Sequence, residues 1–237
     1  MSKTDPALKA SKLVKRFQIP GAAPLAALCD VDIEVASGSL ACIVGPDGAG
    51  KTTFLRLAAG LMRATGGDLT ILGIDAAKHP QAIQDRISYM PQRFGLYEDL
   101  SVQENLDLYA DLHGVTKKAR QERYGRLMEM TDLGRFTDRP AGKLSGGMKQ
   151  KLGLACTLVR SPALLLLDEP TVGVDPLSRR ELWSIIRQLV NEEHLSVVVT
   201  TAYLDEAEEA AQVIVLNEGK VLSAGMPDEL RKRAADR

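Results

Sequence analysis

The sequence predicts an α/β fold: a largely parallel central sheet flanked by helices, with a helical segment inserted between the strands. Short apolar or β-branched runs alternate with helical patterns, an order that is typical of parallel sheets. Several of these runs are apolar throughout, as expected for strands that are covered on both faces. Between about Arg93 and Arg160 the strand pattern stops and only helical patterns continue.

Composition limits the classes of protein that fit. The chain has 237 residues, of which 45% are hydrophobic, so it can bury one substantial core. Thirty basic residues against thirty-one acidic ones give a formal net charge of −1, and a nucleic-acid partner is therefore not expected. Cys29, Cys42 and Cys156 stand far apart in apolar surroundings, which indicates buried thiols in a reducing compartment.

No membrane-targeting segment is expected in this sequence. The N-terminal stretch MSKTDPALKA is too polar for a signal peptide. No apolar run approaches the ~20 residues that a membrane-spanning helix needs. Work at a membrane would therefore require a partner protein.

The individual strands follow from the apolar runs. A turn is predicted at NEGK (217–220), between the last two apolar runs, and it indicates a hairpin. Helices are predicted at 51–61, 176–191 and 203–211. The predicted strands are VDIEV (31–35), LACIV (40–44), DLTIL (68–72), ISYM (87–90), ALLLL (163–167), SVVVT (196–200) and VIVL (213–216).

The inserted segment is predicted to contain helices at 102–113, 117–130 and 148–159. We expect a single domain over 1–237. Its α/β core comprises 1–92 and 161–237, and its helical subdomain comprises 93–160. The tail RKRAADR is predicted to be a solvated helix end.

The stretch GPDGAGKT matches the pattern G-x-x-x-x-G-K-[ST] and stands between a predicted strand and a predicted helix, the context that this phosphate-binding loop requires. Gly45, Gly48 and Gly50 let the backbone wrap around a triphosphate. Lys51 supplies positive charge to the β- and γ-phosphates, and the Thr52 hydroxyl is a Mg²⁺ ligand. The predicted nucleotide contacts are Gly45, Pro46, Asp47, Gly48, Ala49, Gly50, Lys51, Thr52 and Thr53.

The run ALLLLDEP supplies two carboxylates at the end of a buried strand. Asp168 is predicted to hold Mg²⁺ through water. Glu169 is predicted to face the γ-phosphate as the general base. The alternative interpretation of such a pair is a solvated turn. The phosphate-binding loop in the same chain favours the catalytic interpretation over this alternative.

A second glycine-rich stretch, LSGGMKQK, opens a predicted helix. Ser145, Gly146 and Gly147 leave backbone N–H groups uncovered at the positive end of the helix dipole, which suits an anion. One chain of this size thus carries two candidate phosphate sites. The alternative is a helix start with a structural role only.

Together these stretches resemble the nucleotide-binding domain of an ATP-binding cassette (ABC) transporter, and the resemblance covers nearly the whole chain. LSGGMKQK resembles the signature motif of that family. YMPQRFGLYEDLSVQENL (89–106) resembles its Q-loop region with Gln92 at the glutamine position. VGVD resembles its D-loop with Asp175 as the aspartate, and VKRF places Phe17 where an aromatic ring stacks on adenine.

The resemblance implies an ABC ATPase fold: a RecA-like core, antiparallel N-terminal β elements and the helical subdomain. It implies that two such domains pair head to tail, so that Ser145, Gly146, Gly147 and Asp175 serve the nucleotide of the partner domain. The implied catalytic residues are Glu169, Gln92 and Lys51, and the implied Mg²⁺ ligands are Thr52, Gln92 and Asp168. ATP and Mg²⁺ are the implied ligands.

The chain departs from the family pattern at one position. The family places a histidine just after the strand SVVVT, and Ala202 stands there in this chain, while His79, His113 and His194 lie elsewhere. Two interpretations stay open: slow hydrolysis in a site that pairs with a complete ATPase domain, or hydrolysis that Glu169 sustains with water or Thr201. In the missing histidine and in the stretch GPDGAGKTT, the chain resembles the amino-terminal cassette of bacterial exporters with two unequal cassettes.

The implied function is the ATPase subunit of an exporter for drugs, lipids or similar compounds. It would sit at the cytoplasmic face of the membrane through a separate permease that docks near 93–100. The segment after NEGK leaves no room for the regulatory domain of many sugar importers. The alternatives are a nucleotide-gated partner with little catalysis and an ABC ATPase of DNA repair or translation. The 52 residues from Gln92 to Leu144 leave no space for a chromosome-organising coiled coil.

Overall fold

The computed structural model describes residues 5–235. The outermost N-terminal residues and the last two residues of the predicted helix end RKRAADR therefore lie outside the described residues. The strands are β1 (Leu8–Phe17), β2 (Leu25–Val35), β3 (Leu40–Val44), β4 (Gly66–Ile71), β5 (Ile74–Asp75), β6 (Ile87–Met90), β7 (Leu164–Asp168), β8 (Ser196–Thr201), β9 (Gln212–Asn217) and β10 (Lys220–Gly225). The helices are α1 (Lys51–Ala58), α2 (Pro80–Gln84), α3 (Val102–Leu112), α4 (Lys117–Thr131), α5 (Gly146–Leu158), α6 (Pro176–Glu193), α7 (Leu204–Ala207) and α8 (Pro227–Ala235).

The central sheet has six strands in the order β10-β9-β3-β8-β7-β6. All neighbouring pairs are parallel except β10 with β9, which form the hairpin predicted at NEGK. Asp168 at the end of β7 pairs in register with Thr200 on β8, and Val44 on β3 pairs with Thr201. Because parallel strands share one carboxyl edge, the loops after β3, β7 and β8 meet there. The largely parallel sheet that the sequence predicts is confirmed.

A second sheet of four antiparallel strands, in the order β2-β1-β4-β5, forms the N-terminal part of the core. Apolar residues of α1, such as Phe54 and Leu55, lie fully buried in one cluster with residues of both sheets. The strands of the central sheet divide their side chains between two cores. Leu164 and Leu166 of β7 join this cluster, whereas Leu165 and Leu167 join the cluster on the helical face.

Helices α3, α4 and α5 form the helical subdomain, as the fold prediction expected. Ser101 begins α3 with a capping box, in which Glu104 donates its backbone N–H to the serine hydroxyl and its carboxylate accepts from the Ser101 N–H. Residues 93–160 contain no β-strand, and their β pairing is limited to one isolated bridge between Ser101 and Pro140. Among the helices between residues 5 and 235, none combines the length and hydropathy that crossing a bilayer would require.

Several element predictions need correction. Strand β1 and the first half of β2 were not predicted. In β1 a register shift between Ala10 and Leu13 breaks the alternation of buried and exposed residues, and β2 begins with apolar residues that are exposed. The helix predicted over 51–61 ends at Ala58. The helix predicted over 203–211 is the single turn α7, because the chain must turn back to begin β9. Helix α2 was also missed, and of α8 only the C-terminal part, within RKRAADR, was predicted as a helix end.

The cysteine prediction holds for two of the three thiols. Cys42 on β3 and Cys156 on α5 are fully buried, and burial raises the pKa of both thiols. Cys29 on β2 is only half-buried. All three cysteines are free.

Candidate functional site

The phosphate-binding loop follows β3 and leads directly into α1. Gly50 precedes the helix at φ 106°, a left-handed conformation that side chains rarely adopt. A Cβ atom at Gly50 would also overlap the carbonyl oxygen of Ala27. Glycine is therefore required at this position by both the backbone conformation and the close approach of β2.

Lys51 turns its ammonium group back into this loop. Its Nζ donates to the carbonyl oxygens of Gly45 at 2.6 Å and Pro46 at 3.0 Å, and it lies 2.9 Å from Glu169 Oε1. Both charged side chains are buried, with 3% of Lys51 and 7% of Glu169 exposed. The two residues thus form a buried ion pair with additional hydrogen bonds, which compensates for the loss of water around them.

Asp168 ends β7 and is 1% exposed. Its Oδ1 accepts hydrogen bonds from the hydroxyls of Thr52 at 3.0 Å and Thr200 at 2.9 Å, and its Oδ2 accepts one from the Tyr89 hydroxyl at 3.0 Å. Burial and the Asp168 charge raise the pKa of Tyr89 to about 12, so the phenol stays protonated at neutral pH and remains a donor.

This arrangement fits a magnesium ion. A threonine hydroxyl that donates its proton to a carboxylate still presents its oxygen lone pairs, and Thr52 is in this position toward Asp168. Hydroxyl and carboxylate oxygens are the hard donors that Mg²⁺ prefers. Thr52 and Asp168 are therefore a suitable donor set for the ion that accompanies a nucleoside triphosphate.

Glu169 occupies a left-handed backbone conformation, with φ 49°. Its backbone N–H donates to the hydroxyl of Thr200, and its side-chain Oε2 accepts from Gln92 Nε2 at 2.8 Å. A non-glycine residue held in this conformation is strained, and such residues concentrate at functional sites. In the hydrogen bond to Glu169, Gln92 uses its side-chain nitrogen. Its side-chain oxygen is left as the atom that could bind a metal ion.

A cleft of about 460 Å³ opens over this loop. It is lined on one side by Phe17 and by 25–27 of β2, and on the other by 47–53, Gln92 and Glu169. The Phe17 ring is half-buried, and the Lys15 ammonium lies 5.1 Å from its centroid. An aromatic ring at one end and the phosphate loop at the other give the cleft the layout of a nucleotide site.

The residues of the second glycine-rich stretch lie elsewhere and do not line this cleft. Ser145 is the N-cap of α5, and its hydroxyl accepts from the backbone N–H of Met148 at 3.2 Å. Ser145 and Gly146 are exposed, but Gly147 is buried against α6, where an added Cβ would overlap the Ser178 side chain. Two of the three residues are thus open to another molecule, and the third packs helix against helix.

Asp175 is the N-cap of α6 and is exposed. Its Oδ1 accepts from the backbone N–H groups of Leu177 at 3.1 Å and Ser178 at 3.0 Å. Hydrogen bonds from the Ser178 side chain and backbone hold the pKa of Asp175 below its usual value. The residue therefore has a capping role within its own chain in addition to the role in trans that the sequence implies.

Ala202 follows β8 directly and is exposed. His194 ends α6 before β8 begins, so it lies at the opposite end of that strand. Tyr203, next to Ala202, is held under the guanidinium of Arg179, which lies 4.7 Å from its ring centroid. Arg179 Nε also lies 3.3 Å from the buried carboxylate of Glu206, which accepts from the Thr171 hydroxyl at 2.7 Å.

Sequence reasoning missed two residues at the acidic pair. Tyr89 lies on β6, at the start of the stretch that resembles the Q-loop region, and Thr200 lies on β8 outside any motif; neither was predicted to contact Asp168. The sequence does contain one signal, since each is a hydroxyl-bearing side chain near the carboxyl end of a strand of the central sheet. What it lacks is the register of β6, β7 and β8, which brings both hydroxyls to Asp168.

The fold and the site define a P-loop nucleotide-binding protein. A family model described as "ABC transporter" matches residues 28–172, more than half of the chain. The chain therefore belongs to the ABC transporter family and is an ABC ATPase domain.

Two relatives are similar over most of this chain. The probable multidrug ABC transporter ATP-binding protein YbhF of Escherichia coli is 51% identical over 98% of this chain and 40% of its own length. The daunorubicin/doxorubicin resistance ATP-binding protein DrrA of Streptomyces peucetius is 39% identical over 85% of this chain and 61% of its own. The chain thus spans less than two thirds of the length of either protein.

Solved structures give the same fold. The ATP-binding cassette MJ0796, in a dimeric post-hydrolysis state bound to ADP and Pi, superposes with a TM-score of 0.83 at 26% identity, over 93% of this chain and 98% of the other. CbiO1 of Clostridium perfringens, part of the ABC transporter complex cbiONQ, gives a TM-score of 0.86 at 23% identity, over 98% and 92%. The predicted ABC ATPase fold is confirmed.

Proposed function

We propose that this chain is the ATP-hydrolysing cassette of an exporter, and that it acts only when paired with a second cassette. The observation that carries the proposal is the separation of its two glycine-rich stretches. The cleft over 45–53 contains the charged side chains, whereas Ser145 and Gly146 lie exposed outside it. In the pair, the phosphate loop of one domain and the signature helix of the other would enclose one nucleotide.

Within the nucleotide cleft, the charged residues would have separate roles in binding phosphate, activating water and holding Mg²⁺. An entering phosphate competes with Glu169 for the Lys51 ammonium, so the ion pair of 2.9 Å would open as Lys51 turns to the phosphates. Glu169, still held by Gln92, would then orient the attacking water and accept its proton. Thr52 and Asp168, together with the Gln92 amide oxygen, would hold Mg²⁺, which when bound neutralises phosphate charge.

The signature stretch would complete the site of the partner cassette. Ser145 and Gly146, at the start of α5, are exposed and do not line their own chain's cleft, so the Ser145 hydroxyl and the first N–H groups of α5 would suit the γ-phosphate of a facing nucleotide. Hydrolysis removes that anion, so the two domains lose the group that both contact. MJ0796, which superposes on this chain, is described as dimeric, and this supports the pairing.

A permease would dock at the junction of the core and the helical subdomain. A groove of about 280 Å³ lies there, lined among others by Leu61, Phe94, Tyr109 and His113. The rings of Phe94 and Tyr109 stack with centroids 4.9 Å apart. Leu61 is exposed at this groove, and Tyr97, in the segment after Gln92, is exposed too. Such apolar exposure next to the Q-loop supports a protein partner that senses the nucleotide through Gln92.

Export of drugs or similar hydrophobic compounds is the direction that the relatives favour. The printed names of YbhF and DrrA refer to multidrug transport and to daunorubicin and doxorubicin resistance. The cassette would work at the cytoplasmic face of the membrane. One observation supports a second candidate, a cassette that binds ATP but hydrolyses it slowly: Ala202 offers no side-chain donor next to the cleft.

The test of the pairing is the variant Glu169→Gln. It keeps the size of the side chain and its bond to Gln92 but cannot accept a proton, so ATP should bind and the closed dimer should accumulate. Light scattering after size exclusion with MgATP measures the dimer, and phosphate release measures hydrolysis. Glu192→Gln, on the exposed face of α6, is the matched control and should behave as the unmodified chain. Unchanged hydrolysis in Glu169→Gln would remove Glu169 from the role of base.

A further inference from the structure

The segment formed by β6 and the residues after it contributes a side chain to each member of the acidic pair. The Tyr89 hydroxyl donates to Asp168 Oδ2 at 3.0 Å, and the Gln92 amide donates to Glu169 Oε2 at 2.8 Å. The Q-loop position accounts for Gln92. Tyr89 begins the stretch that resembles the Q-loop region, but nothing described so far gives its hydroxyl a function.

Asp168 is held from both of the strands that flank β7. From β8, and from the first turn of α1, Thr200 and Thr52 donate to Oδ1. From β6 on the other side, Tyr89 donates to Oδ2. A carboxylate rotates easily about its last single bond, because the energy wells of that torsion are broad. Donors on both oxygens therefore fix the plane of the carboxylate and keep one of its oxygens facing Thr52.

We infer that Tyr89 is a positioning residue of the metal–nucleotide site: its hydroxyl holds the plane of the Asp168 carboxylate, so that one carboxylate oxygen stays beside Thr52, where Mg²⁺ enters with ATP. The inference rests on the proposed function, since it requires that the cleft binds a metal–nucleotide complex. Tyr89 itself touches neither metal nor nucleotide. Groups that orient a metal ligand in this way typically change metal affinity 10- to 100-fold when removed.

A merely structural role for Tyr89 makes a different prediction. The ring is half-buried and packs against the core cluster between the two sheets, so it contributes to packing whatever its hydroxyl does. Loss of packing would weaken nucleotide binding equally with and without metal. Loss of the hydroxyl alone should weaken only the metal-dependent part.

The experiment is the variant Tyr89→Phe in the full chain, which removes one oxygen atom and keeps the ring. Calorimetry measures the affinity for ATP in excess chelator and then at increasing Mg²⁺. The affinity without metal should stay within about twofold of the unmodified chain, whereas the Mg²⁺ concentration for half-maximal effect should rise about 10-fold. Tyr124→Phe is the matched control, because its hydroxyl donates to Asp107 at 2.9 Å, a carboxylate of the helical subdomain.

A second readout makes the result independent of hydrolysis. Mn²⁺ replaces Mg²⁺, and electron paramagnetic resonance counts free Mn²⁺ in the presence of ATP and each variant. Weaker Mn²⁺ retention in Tyr89→Phe alone supports the inference. An unchanged metal dependence, or equal weakening with and without metal, overturns it. If the unmodified chain bound no nucleotide under either condition, the proposed function itself would be wrong.

Discussion

The P-loop region (45–53) and the signature region (145–147) both offer backbone N–H groups to an anion, but they differ in their surroundings. The P-loop region contains a buried lysine and the Thr52 hydroxyl, and it lies beside two buried carboxylates and the hydroxyls of Tyr89 and Thr200. The signature region has an exposed serine, an exposed glycine and one glycine buried against α6. The first surrounds a ligand with charged groups of its own chain, whereas the second has few such groups and, in the proposed pair, would contact a ligand that the partner cassette holds.

The largest effect should come from breaking the buried ion pair. Lys51→Met leaves Glu169 buried without its partner, so we expect the free energy of unfolding at neutral pH to fall by about 3 kcal/mol. ATP affinity should fall about 100-fold, because a charged donor to phosphate is lost. Urea denaturation and calorimetry measure the two effects.

A matched pair in the signature region serves as the control for this prediction. Lys149 on α5 pairs with Glu98 at the surface, so Lys149→Met should cost less than about 1 kcal/mol. The double variant Lys51→Met with Glu169→Gln should recover much of the lost stability. If both lysine variants cost the same, the distinction between the buried and the exposed region does not hold.

Substitutions at two neighbouring glycines of the signature region test helix packing and ligand contact separately. Gly147→Ala should destabilise the fold by about 2 kcal/mol, because its Cβ would overlap the Ser178 side chain. At Gly146 the nearest atom to an added Cβ is the Gly173 carbonyl oxygen at 3.8 Å, so Gly146→Ala should fold normally. It should instead weaken ATP-dependent pairing. Thermal unfolding and light scattering with MgATP separate the two outcomes, and equal stability of both variants would contradict the packing argument.

The smallest effect concerns the position after β8. Ala202 is exposed, so Ala202→His can add an imidazole without overpacking the core. A positioned donor near the γ-phosphate should raise the rate of ATP hydrolysis severalfold. Ala202→Leu adds similar bulk without a donor and should leave the rate unchanged. Equal rates in both variants would mean that this chain compensates for the missing histidine in another way.

The same comparison explains what the sequence could predict. Local signals predicted the central strands, the glycine-rich loops and the acidic pair, because each depends on a short run of residues. Strand β1 was missed because register shifts around Leu13, which depend on its pairing with β2 and β4, break the alternation of buried and exposed residues. Tyr89 and Thr200 were missed because their function depends on strand register, which no short run encodes.

Cys42 in the α/β core and Cys156 in the helical subdomain give the chain one buried thiol in each of its two parts. Since burial raises the pKa of both thiols, neither reacts with an alkylating reagent until its surroundings open. Pulsed labelling followed by peptide mass analysis would therefore time the opening of each part in the unmutated protein. The half-buried Cys29, two residues after Ala27 of the nucleotide cleft, adds an internal reference for ligand protection.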